Sequence, residues 1–62
     1  MKIYTVCDKD YNQIVKTPIK EQAVKFAIRK AERTNSIYGV GEGAFKHIQQ
    51  EWYNKNGFIC KL

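Results

Sequence analysis

Apolar and polar residues alternate at the start of the chain. Ile3, Thr5 and Cys7 fall on one side of an extended segment and Tyr4 and Val6 on the other. A polar run, Asp8-Lys9-Asp10-Tyr11-Asn12, then precedes Gln13-Ile14-Val15-Lys16. Two β-prone stretches split by turn-forming residues predict a hairpin. Apolar groups on both sides of the first stretch predict an interior strand, buried on two faces, whose second face needs a cover.

From Thr17 the period changes. Thr17-Pro18 is a helix-start signal, with a hydroxyl to accept from an early N–H and proline at the first helical position. Through Arg33, Ile19, Ala23, Val24, Phe26, Ala27, Ile28 and Ala31 fill a broad arc of a helical wheel. That arc predicts one flank packed on a sheet and another turned to a partner or a second copy, with Phe26 as anchor. Thr34-Asn35-Ser36 ends the helix. Ile37 to Gly43 reads as a short extended piece entering a glycine-rich turn. Helical spacing returns from Ala44 to Lys55 through Phe45, Ile48 and Trp52, and Asn56-Gly57 supplies a left-handed stop before a final strand, Phe58–Leu62. The expected architecture is a single small α+β domain over residues 1–62 in the order ββααβ, an antiparallel sheet packed against two helices.

With 62 residues, a chain of this size buries only about 60% of the surface its unfolded form exposes, so the core is small. Hydrophobic residues at 44% and aromatic residues at 13% nonetheless suffice for a globular fold. No stretch approaches the roughly 20 apolar residues of a membrane span, and no apolar signal region precedes Asp8, which predicts a soluble, cytoplasmic protein without a membrane partner. Cys7 and Cys60 are too few for a disulfide framework. Both read as reduced, strand-borne residues that a bridge could join only if their strands were neighbours.

Several motifs imitate chemistry without its partners. Gly39-Val40-Gly41-Glu42-Gly43-Ala44-Phe45-Lys46 resembles the glycine-rich phosphate loop of protein kinases, yet no catalytic or metal-binding aspartate motif accompanies it, and Glu42 repels phosphate. Asp8, Asp10 and Asn12 match the first ligand positions of a calcium loop. Gln13 then stands where glycine is needed and Ile19 where a bidentate glutamate is needed, so turn formation is the expectation. Cys7, Cys60 and His47 are too scattered for a zinc signature or a nucleophile–base pair. The expectation is a non-enzymatic chain with no catalytic residues, metal or cofactor.

Charge is the more informative property. The net charge is +5, and residues 16–33 carry six basic against two acidic residues, or +4 of it. Lys25, Arg29 and Arg33 form an i, i+4, i+8 row, with Lys30 beside it. Two partner classes follow. The first is a larger protein with an acidic surface, contacted through Tyr4, Tyr11, Tyr38, Tyr53, Lys25 and Arg29; the chain would then be an inhibitor or adaptor acting by occlusion, a task common among the very small proteins of phages and mobile elements. The alternative is DNA or RNA, with Lys25, Arg29, Lys30 and Arg33 on backbone phosphates. Self-association along the alanine-lined flank of the helix fits either reading.

Overall fold

The polar run after the first strand folds back on itself through the Asp8 carboxylate. In the computed structural model, which describes residues 2–43 and 50–61, Asp8 Oδ1 accepts the backbone N–H of Asp10 and of Asn12 at 2.9 Å each, and Oδ2 accepts the Asn12 amide at 3.2 Å. Tyr11 takes a left-handed conformation with φ of 66°. This turn joins β1 (Tyr4–Cys7) to β2 (Gln13–Thr17), followed by α1 (Lys20–Thr34), β3 (Tyr38–Glu42), β4 (Glu51–Asn54) and β5 (Gly57–Lys61). The strands form one antiparallel sheet in the order β2-β1-β3-β4-β5.

The α+β class and the antiparallel sheet are as expected, and β1 is interior and buried on both faces. The two-helix ββααβ layout is not: the described residues hold one helix and five strands. Phe45, Ile48 and the rest of residues 44–49 lie outside the described residues, but residues 51–54, assigned by spacing to a second helix, are a strand. The local pattern explains it. Glu51 and Tyr53 face one side while Trp52 faces the other, opposite Gly39 and Cys60. Lys55-Asn56 then forms a hairpin turn in place of a helix stop, with Gly57, the first residue of β5, at φ 114° and Asn54 Oδ1 accepting from the Asn56 N–H at 2.8 Å.

Helix α1 starts later than the Thr17-Pro18 signal implies. Ile19 is the cap residue and carries no side-chain cap, while the Thr17 hydroxyl accepts the Ile19 N–H at 3.3 Å in a turn just outside the helix. The other end closes at Asn35, left-handed at φ 54°, whose N–H returns to the Ala31 carbonyl. Ala23, Ala27 and Ala31 are fully buried and let the helix backbone approach β1, β3 and β4 closely. These alanines, not Phe26, are the anchor; Phe26 is 38% exposed. Against them pack Val6, Val40, Tyr38 and Tyr53, with Tyr4, Val15, Val24 and Ile28 at the margin.

Two of the kinase-like glycines have a packing role. Gly39 and Gly41 lie within β3, and Gly43 follows it with φ of 79°. Absence of a Cβ at Gly39 leaves room for the Trp52 ring and Cys7 Sγ. At Gly41 it leaves room for the Gln50 amide.

Candidate protein-binding surface

Both faces of the sheet are structured, but only one lies under the helix. Opposite α1, one row crosses the sheet through Cys7, Gly39, Trp52 and Cys60. Trp52 is only 5% exposed, lying over Gly39 with the Tyr11 ring edge-on to it, centroids 5.5 Å apart and planes at 82°. The β4–β5 register then shifts. Trp52 pairs with Cys60 and Tyr53 with Phe58, so Ile59 is the extra residue of a bulge and turns to the Trp52 side with Cys60. The result is a depression of about 260 Å³ whose described lining is Lys9, Tyr11, Ile37, Trp52, Ile59 and Cys60. Its rim residues Ile37 and Ile59 are 38% and 42% exposed.

Lys9 is the one charged side chain among those lining residues. Neighbouring Asp8 is held below the usual carboxylate range, chiefly by the Asn12 N–H it accepts, so it stays ionised beside Lys9. Cys7, at the covered end of the row, is fully buried, and desolvation pushes its thiol up to about 11. Cys60 is partly exposed, and both cysteines are free. Strands β3 and β4 separate β1 from β5, so the two sulfurs are not on neighbouring strands.

The tyrosines chosen from sequence scatter. Tyr38 and Tyr53 belong to the core under α1, and Tyr4 packs at its edge. Tyr53 donates to Glu51 Oε1 at 3.1 Å, and burial with that carboxylate raises its pKa to about 12. Tyr11 alone of the four reaches the depression. The basic residues share the outer side of α1: Lys25, Arg29 and Arg33 are exposed and Lys30 is half-buried. Lys25 pairs with Glu21 at 3.6 Å, whereas Arg29, Lys30 and Arg33 have no carboxylate within 4 Å among the described residues. A second, smaller hollow beside the start of α1 is polar and internally neutralised, with Lys20 3.3 Å from Glu51.

Sequence reasoning missed Ile37, Ile59, Cys60 and Lys9 as one surface, and it placed Trp52 on a helix where the structure has a strand. The alternation of Glu51 and Tyr53 against Trp52, followed by Asn-Gly, was the available signal. The bulge at Ile59 has no signature of its own. No family model, curated protein or solved structure matches this chain. No helix among the described residues is long and apolar enough to cross a membrane.

Proposed function

We propose that the chain is a non-enzymatic protein-binding module, an inhibitor or adaptor that occludes part of a larger protein. The observation that carries this reading is the apolar depression on the face opposite α1, with a rigid aromatic floor and two half-exposed isoleucines at its rim. Interfaces concentrate their energy where fixed aromatic groups sit in a patch that excludes water, surrounded by weaker contacts. At 260 Å³ the depression is below the roughly 300–1,000 Å³ of small-molecule sites, which favours a side chain of a partner over a metabolite. The net charge of +5 selects an acidic surface around it.

A tagged pull-down with nuclease treatment, run on the native sequence and on the Ile37→Lys/Ile59→Lys variant, tests this. A protein retained in near-stoichiometric amount by the first and lost by the second supports the module. Retention by both removes the depression from the reading. The second reading, nucleic acid on α1, draws support from Arg29, Lys30 and Arg33 standing without ion pairs among the described residues. It requires that duplex binding fall steeply with salt, with a log–log slope of about −0.9 per phosphate contacted, and that Arg29→Glu/Arg33→Glu abolish it.

A further inference from the structure

Helix α1 separates its charges around its circumference. At about 100° per residue, Gln22, Phe26, Arg29, Lys30 and Arg33 share one flank, while Glu21 and Glu32 project about 140° and 120° away from Phe26. Lys25 lies on the acidic side and pairs with Glu21. Phe26 is therefore flanked at i+3, i+4 and i+7 by three cations with no acid among them. Its ring is 38% exposed and makes no contact with another ring or a cation among the described residues. We infer that this flank binds a single-stranded nucleic acid, with one base stacked on Phe26 and the neighbouring phosphates held by Arg29, Lys30 and Arg33. The inference rests on the nucleic-acid reading of α1, narrows it to unpaired strands, and is independent of the depression on the other face.

Three observations favour that occupant. Among the described residues the ion pairs are Lys2–Glu42, Lys20–Glu51 and Lys25–Glu21, so the three cations beside Phe26 keep their charge for a ligand. Arg29 and Arg33 stand four residues apart, about 6 Å along the axis, close to the separation of successive phosphates on an extended strand. The ring then decides between strands: a duplex keeps its base faces stacked inside, whereas an unpaired base offers a face that an aromatic side chain can take whatever the sequence. An acidic protein surface engages the cations and leaves the ring face unused. An anionic bilayer needs a broad apolar strip, and the apolar face of α1 is already occupied by the sheet through Ala23, Ala27 and Ala31.

Fluorescence anisotropy of a labelled oligothymidylate of about 12 nucleotides, titrated with the full chain between about 50 and 200 mM salt, is the direct test. Three phosphate contacts predict a log–log salt slope of about −2, from about 0.7 for each contact. Phe26→Leu keeps an apolar side chain of similar size and should weaken binding about fivefold or more with the slope unchanged, while Phe26→Tyr should bind like the native sequence. Lys30→Gln should make the slope shallower by about 0.7, and Arg29→Glu/Arg33→Glu should abolish binding. Native-like circular dichroism melting of each variant shows that folding is not the cause.

Equal affinity of Phe26→Leu and the native sequence overturns the inference, as does competition by polyglutamate as strong as that by unlabelled oligothymidylate. A blunt duplex bound in preference to the single strand, with the same dependence on Arg29 and Arg33, overturns it and leaves the nucleic-acid reading of α1 standing. Binding of neither strand form removes both. Capture by vesicles of anionic phospholipid in place of the oligonucleotide overturns it in favour of a lipid surface.

Discussion

Replacing Gly39 by alanine probes the face opposite α1 at the point where the floor of its depression is built. A Cβ there would stand 3.1 Å from Cys7 Sγ, 3.1 Å from Trp52 Cζ3 and 3.2 Å from Trp52 Cε3. All three atoms belong to groups with little room to give: Cys7 is fully buried and the Trp52 ring is a rigid plane beneath Tyr11. Extra volume in a packed site costs about 1–3 kcal/mol. Against it stands the reduced freedom of the unfolded chain when glycine becomes alanine, about 0.4–1 kcal/mol in favour of folding. The net expectation is a loss of about 1–2 kcal/mol, a large share of the roughly 3–5 kcal/mol that a chain of this size holds.

For a domain of this length such a loss lowers Tm by roughly 5–15 °C, measurable by circular dichroism. Displacement of the indole toward water should also shift Trp52 fluorescence to the red. Trp52 is the sole tryptophan, so the signal is unambiguous. The mechanism makes a stronger claim than the magnitude. Cys7→Ala removes the sulfur that the new methyl would strike, so the double variant Cys7→Ala/Gly39→Ala should be less destabilised than the sum of the single changes. A Gly39→Ala protein as stable as the native one, or strict additivity of the pair, would refute the packing argument.

Other expectations follow from the same coordinates. In the folded protein Cys60 should react with iodoacetamide while Cys7, buried with its thiol raised to about 11, reacts only on unfolding; mass spectrometry of alkylated peptides distinguishes them. Cys7 and Tyr53, raised from 9.0 to about 11 and from 10.0 to about 12, hold their protons longer folded than unfolded. Their stabilising effect is complete below pH 9 and is lost as pH rises toward 12. Unfolding free energies from urea titration should accordingly fall between pH 9 and 11 by an amount on the order of 3–4 kcal/mol, with a shallower decline in Cys7→Ala. Ala27→Leu forces three further carbons between α1 and the sheet, and calorimetry should show a loss of about 1–3 kcal/mol.

What could be read from the sequence depended on how local its physical cause was. The first hairpin, the helix and the extended piece from Ile37 to Gly43 are each encoded by neighbours in sequence, through turn residues and a single clear period. Residues 51–54 were ambiguous because Phe45, Ile48 and Trp52 fit a period of 3.6, while Glu51, Trp52 and Tyr53 by themselves fit a period of 2. Sheet pairing decided for the strand, since Tyr38 and Gly39 of β3 offer Tyr53 and Trp52 partners on their respective faces. Phe26 was chosen as the helix anchor by size, yet close approach to the sheet rewards the smaller row of Ala23, Ala27 and Ala31. The candidate surface was the least legible part. It is assembled from the β1–β2 turn, the approach to β3, β4 and a bulge in β5, and its register exists only once the sheet has formed.

The two faces of this sheet also solve different problems. Under α1, alanines bring backbone to backbone and the tyrosines turn inward, so that side of the molecule is closed and its outward surface is charged. On the other side, Gly39 and Gly41 remove side chains from the central strand, which lets Trp52 and the Gln50 amide lie across the sheet rather than stand on it. A tryptophan laid flat is buried by its own sheet and still forms the floor of an open site. That arrangement also locates the vulnerability of the design: the floor depends on the missing β-carbon of Gly39, while the rim, built from Ile37, Ile59 and Lys9, can be changed without touching the core. Stability and the proposed binding are therefore separable in this protein, with Gly39 on one side of the division and Ile59 on the other.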